Sequence, residues 1–197
     1  AVVLQCLRNV VGADDAKRRQ AEAHLAAQAR VPGYGRVLCT FLLAPALPPE
    51  IRQLAGIVLK KLIKEEWDGA MGAEDKQHLK QALPQGLLDS ERRVTSACGL
   101  AIGQISAQDF PDQWPTLIED LLAMIQAHVT TNPSAVYGCV RCLEVVVENT
   151  GDDVLPPLEA VLVPALLQML GSDAFPINVR RRCLRTLARV LELAAFV

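Results

Sequence analysis

Apolar residues return at steps of three and four along nearly the whole chain, and Gly, Pro, Asp and Asn break the rhythm at intervals. Bracketing the periodic stretches by these breakers predicts ten helices: 2–11, 15–29, 34–44, 49–67, 73–88, 90–107, one from the Asp109–Asp112 turn to about 129, 133–150, 156–170 and 176–195. Gly12 with Asp14-Asp15 ends the first helix and caps the second, and Pro48-Pro49 starts a long one. Ser90 is the expected N-cap of the sixth helix, Asn132-Pro133 begins the eighth and Gly151-Asp152-Asp153 closes it.

Every second helix repeats one stripe at i, i+3, i+7. The sets are Arg18, Ala21, Leu25; Arg52, Ala55, Leu59; Val94, Ala97, Ala101; Val136, Cys139, Leu143; and Arg180, Cys183, Leu187. Such spacing is one face of a helix, so each set faces a neighbour. The central residues 21, 55, 97, 139 and 183 are 34, 42, 42 and 44 apart. A period near 42 with two helices per unit is that of a HEAT array. The expected fold is an all-α, right-handed HEAT-repeat solenoid of about five hairpins, with repeats at 1–30, 33–68, 73–107, 112–150 and 156–197. Pro84 and Pro164 fall inside the first helix of a pair, 80 residues apart. There they either bend outer helices or start shorter ones.

Composition supports helices over strands. The chain has 197 residues, 51% apolar but only 4% aromatic, and its apolar share is Ala, Leu and Val. Six cysteines sit inside apolar helical patterns without a disulfide framework, which fits a reducing compartment. The uncharged stretch 121–140 contains Gln126, His128 and Asn132-Pro133, so it reads as two helices meeting at a turn rather than a membrane span. The absence of an initial Met and the apolar end at Phe196-Val197 suggest a piece of a longer protein.

Net charge is −2, so no bulk positive field recommends direct nucleic-acid binding. That near-neutrality averages unlike regions. Between Val94 and Val179 stand ten acids and one base, Arg141, whereas Arg180, Arg181, Arg182, Arg185 and Arg189 crowd the last helix. The acidic region either attracts a basic partner or is a solvated face. Part of the Arg cluster is expected to close onto acids of preceding helices or onto a following repeat. Lys60, Lys61 and Lys64, followed by Glu65 and Glu66, form a charged strip on a second-layer helix, which is either a solvated face or part of the concave side where such solenoids hold partners.

Candidate chemistry is sparse. Cys139-x-x-Cys142 has metal or redox spacing, but no second ligand pair follows, and Cys139 fills the small-residue slot of its repeat. His24, His78 and His128 are isolated, and Gly99-x-x-x-Gly103 lies mid-helix, where it permits close helix approach. No catalytic residue, cofactor or metal site is expected.

The stretch Ile51-Arg52-Gln53-Leu54-Ala55, continuing through Leu59-Lys60-Lys61-Leu62-Ile63 to Trp67, resembles the N-terminal signature of the importin-β (karyopherin-β) family of transport receptors. Arg18, Ala21, Glu22 and Leu25 with Pro32-Gly33-Tyr34 resemble the segment before it, and Asp109-Phe110-Pro111-Asp112-Gln113-Trp114-Pro115-Thr116-Leu117 is similar to the family's linker into its fourth repeat. Leu83 to Leu87, Asp89-Ser90 and Val94, together with 132–143, resemble the importin-nine branch. The resemblance implies a receptor rather than an enzyme, shuttling between cytoplasm and nucleus. Its implied partners are the small GTPase Ran in its GTP form, phenylalanine-glycine nucleoporins, and basic cargo such as core histone dimers. It implies a structural signature at Arg52, Ala55, Leu59, Trp67, Asp109, Pro111, Trp114 and Pro115. Ran contacts are implied at Gln53, Lys60, Lys61, Lys64, Gln104, Arg141, Glu144 and Glu148. The rival reading is a HEAT scaffold of another class, a phosphatase or coat-complex subunit.

Overall fold

The computed structural model describes residues 2–151 and 155–194, with side chains throughout except at 155–157 and 194. Its elements are α1 (Val2–Val11), α2 (Asp15–Ala27), α3 (Tyr34–Leu43), α4 (Pro49–Glu66), α5 (Ala73–Ala82), a 3-10 segment (Leu83–Leu88), α6 (Arg92–Asp109), α7 (Leu117–His128), α8 (Pro133–Asn149), α9 (Leu155–Gly171) and α10 (Ile177–Ala194). The described residues contain no strand.

The chain folds as antiparallel pairs: α1 with α2, α3 with α4, the 3-10 segment with α6, α7 with α8, and α9 with α10. The second helices then stack in file, α4 on α6, α6 on α8 and α8 on α10, while α3 packs on α5 in the other layer. The first pair meets the stack through α1 against α4. This is the all-helical, HEAT-like solenoid arrangement that the stripe predicts.

The stripe works as packing. Ala21, Ala55, Ala97, Cys139 and Cys183 are all buried, as are Leu25, Leu59, Ala101, Leu143 and Leu187. Small residues let the file of helices come close. A Cβ built on Gly56 of α4 would stand 2.6 Å from the Cβ of Ala97 on α6, nearer than real side chains approach. Gly103 of α6 is likewise filled by Val145 of α8, whereas Gly99 meets Cys142 at an ordinary 3.8 Å. Of the two glycines four apart, Gly103 is therefore the one the contact requires.

Helix starts follow local chemistry. The Asp14 carboxylate accepts from Ala16 and Lys17 N–H at 3.1 Å, and its pKa is lowered chiefly by the Lys17 backbone hydrogen bond. Asn132 accepts from Ala135 N–H at 3.0 Å, with Pro133 in the first turn. The sixth helix differs from expectation, because its N-cap is Glu91, accepting from Arg93 N–H at 3.2 Å, rather than Ser90. Asp89 explains the shift. Its Oδ1 accepts from Glu91 N–H at 2.8 Å while its carboxylate is held by Arg52, so the chain stays extended past Ser90.

Pro84 does not bend a continuous helix either. Without an N–H, and with its ring against the carbonyl four residues back, it ends α5 at Ala82, and the chain tightens into the 3-10 segment. Pro164 does lie inside α9. The expected closing turn at Asp152-Asp153 and the helix end at Ala195 lie outside the described residues. No described helix is long and apolar enough to cross a membrane.

Candidate partner-binding surface

Two polar clusters brace the repeats from inside. Arg52 of α4 is buried; its Nε donates to the Leu42 carbonyl near the end of α3 at 2.9 Å, and its two other nitrogens clasp Asp89 ahead of α6. One guanidinium thus serves a helix C-terminus and ties the second repeat to the third. In the second cluster the buried Trp67 Nε1–H donates to Asp109 Oδ1 at 2.8 Å. Lys80 Nζ reaches Asp109 Oδ2 at 2.6 Å and the Gln113 carbonyl at 2.8 Å. The same ammonium lies 6.0 Å from the ring centres of Trp67 and Trp114, and Lys76 is 5.1 Å from that of Trp67. Ala55, Leu59 and Trp114 are buried, Pro111 is half-buried behind a cis Phe110–Pro111 bond, and Pro115 is exposed.

A third cluster was not foreseen in detail. Arg182 of α10 pairs with the buried Glu144 of α8, donates to the Tyr137 hydroxyl at 2.8 Å and stacks 4.9 Å from that ring. Arg180 bridges to Asp173 at 3.1 Å. The Arg-rich helix therefore does close onto preceding acids, through Arg182 and Arg180. Tyr137 carried no sequence signal beyond a helical position; a separation of 45 residues from Arg182, close to one repeat, is the cue that would have paired them.

The cysteines lie among apolar neighbours. All six are free and buried, and burial pushes the Cys139 and Cys39 thiols up to about 12 and Cys183 to about 11. Cys142 is raised too, first by burial and then by the neighbouring Cys139 and Cys98 thiols. A nucleophilic or metal-binding thiol needs the opposite shift. Among the described residues no group of three His, Cys, Asp or Glu could hold a metal ion.

The outward stripes of the stacked helices hold most residues of the implied contact set. On α4, Gln53 and Lys60 are half-buried and Lys61 and Lys64 exposed, with the apolar Ile57 exposed among them. Lys61 lies 3.9 Å from Glu65; Lys60 and Lys64 have no acidic partner among the described residues. Along the next helices come Leu100 (exposed) and Gln104 (half-buried) on α6, then Arg141 (half-buried) and Glu148 (exposed) on α8. Arg141 donates to the Ser96 hydroxyl of α6 at 2.7 Å. Glu144 stands apart: it is buried and engaged by Arg182, so the structure gives it to the α8–α10 contact and not to this open stripe.

Paired helices in two layers, with polar side chains spaced along one file, define a helical-repeat solenoid. Residues 21–89 match the Importin-beta N-terminal domain. Over 199 aligned residues the chain is 23% identical to Importin-9 of Drosophila melanogaster, covering 94% of this chain and 19% of that protein. It superposes with a TM-score of 0.84, at 19% identity, on Kap95p in the structure where Kap95p binding induces the switch loops of RanGDP to adopt the GTP-bound conformation; 98% of this chain and 24% of Kap95p are covered. The Kap95:Nup1 complex gives a TM-score of 0.82 at 19% identity over 97% of this chain and 24% of the other. These matches support an importin-β family protein, with the Importin-beta N-terminal domain at residues 21–89. It spans about a fifth of the length of the Drosophila relative it matches.

Proposed function

We propose that this chain is the Ran-binding N-terminal part of a nuclear import receptor of the importin-nine type. Ran in its GTP form docks on the outward stripes of α4, α6 and α8, with Lys60, Lys61 and Lys64 as the charged anchor and Gln53, Gln104, Arg141 and Glu148 extending it. Basic cargo such as core histone dimers is drawn to the acidic middle repeats, phenylalanine-glycine nucleoporins carry the receptor through pores, and the protein shuttles between cytoplasm and nucleus without catalysing a reaction. The observation that carries this reading is that the family match at residues 21–89 contains the lysine strip and its buried Arg52–Trp67 frame. Lys60 and Lys64, without acidic partners among the described residues, are free to meet an acidic patch on another protein, and the attraction weakens with salt.

A pull-down of Ran loaded with GTP or with GDP on the immobilised chain tests this. The GTP form is retained in preference, and retention falls between 50 and about 300 mM salt as the screening length shortens. Equal retention of both forms, or of neither, contradicts the proposal.

A further inference from the structure

Where α6, α8 and α10 begin side by side, a cleft of about 440 Å³ opens among Asp89, Ser90, Arg92, Ser134, Tyr137 and Asn178. Beside it, a crevice of only about 10 Å³ between α6 and α8 is lined by Arg92, Tyr137 and Arg141. Two guanidinium groups flank Tyr137: the Arg182 and Arg92 carbons lie 4.9 and 5.7 Å from its ring centre. Burial resists ionisation of Tyr137, but the Arg182 hydrogen bond and the charges of Arg182, Arg92 and Arg141 outweigh it, and the pKa is lowered.

The acids nearby are already engaged. Asp89 is clasped by Arg52, Glu91 caps α6 and Glu144 pairs with Arg182. Arg92 and Arg141 have no carboxylate partner among the described residues, although both flank a region otherwise rich in acids. The Tyr137 oxygen accepts from Arg182 at 2.8 Å, which leaves its O–H to donate.

We propose that this cleft is a binding site for an acidic peptide segment of a partner protein, its carboxylates held by Arg92 and by the Tyr137 hydroxyl, with Arg141 adding positive charge behind them. The volume exceeds what one carboxylate or phosphate fills and suits several side chains. Planar guanidinium groups match carboxylates two bonds at a time. The helix starts at the rim add donors of the same sign. The site is separate from the Ran surface except at Arg141, so Arg92 distinguishes the two.

The probe is a fluorescein-labelled peptide of alternating Glu and Gly, followed by anisotropy with the intact chain; a Lys-Gly peptide and inorganic phosphate are the comparison ligands. The acidic peptide binds and the Lys-Gly peptide does not. Arg92→Ala weakens binding about tenfold and Tyr137→Phe about threefold. Arg185→Ala, an exposed arginine on α10, leaves binding unchanged. Thermal melts matching the wild type show that the variants fold. Arg92→Ala also leaves Ran retention unchanged, so failure here and failure of the Ran proposal are told apart. Peptide binding unaffected by Arg92→Ala, an equal loss in Arg185→Ala, or displacement of the peptide by millimolar phosphate overturns the proposal.

Discussion

Arg52 illustrates how much one side chain can carry in a repeat array. It sits at the start of the small-residue stripe, where the sequence marks it as part of a face, yet nothing local says that it reaches Asp89, 37 residues on. Trp67 and Asp109 are 42 apart and Gly33 and Asp75, whose carboxylate accepts the Gly33 N–H, are also 42 apart. Both separations equal the repeat length, so the period itself was the readable clue to partners that no propensity reveals. Removing one member of a buried, hydrogen-bonded pair leaves its partner uncompensated. Arg52→Met is therefore expected to lower unfolding free energy by about 3 kcal/mol in urea titrations; a loss below about 1 kcal/mol would mean that the Asp89 clasp is idle. The cysteines give a pH prediction. Burial raises the folded thiols of Cys39 and Cys139 to about 12 and of Cys183 to about 11. Unfolded thiols titrate near about 8.5, so above that pH the unfolded chain releases protons that the folded chain keeps. Stability from this source is full below pH ~8.5 and declines as pH rises past it. Melting temperatures from pH 7 to 10.5 should fall, and a thiol reagent should label these three only on unfolding; fast labelling of the native protein would refute their burial.

At the scale of the element, helix existence was legible and helix ends were less so. The 3.6 period and the Asp14 and Asn132 caps fix α2 and α8 because their signals are local. The start of α6 was misplaced because Asp89 answers to Arg52 in another repeat, a tertiary contact that overrides Ser90's cap propensity. Likewise Pro84 converts the end of its helix to a 3-10 segment, which Gly86 allows to lie against Cys98 and Leu43. Stacked helices give a sharper test. Helix propensity alone favours Ala over Gly by about 1 kcal/mol. Gly99→Ala should follow propensity and be neutral or stabilising, since its new methyl meets only ordinary contacts. Gly103→Ala should destabilise by about 1–3 kcal/mol because Val145 already fills that space. Opposite signs from chemical denaturation of the pair would confirm close packing of α6 on α8, and equal effects would count against it.

Across the whole molecule, charge that looked like one acidic field divides by depth. Asp109 and Glu144 are buried against Lys80 and Arg182, whereas Asp112, Glu119, Glu148 and Asp173 remain exposed, Asp173 beside Arg180; Asp152 and Asp153 lie outside the described residues. Sequence alone counts charges without saying which ones face water, and that is why Glu144 entered the implied contact set. The fold class and the solenoid's stripe were plain from periodicity, while the surface needed the stack of α4, α6 and α8 to bring residues from three repeats into one row. The proposed Ran surface rests on that row. Calorimetric titration of Ran-GTP into the wild-type chain and into a Lys60→Glu/Lys64→Glu variant tests it most directly. Both lysines are outside the core, so the variant should melt like the parent. The account predicts saturable binding to the wild type and at least about a tenfold weaker constant for the variant; equal affinities, or no heat with either protein, would contradict it.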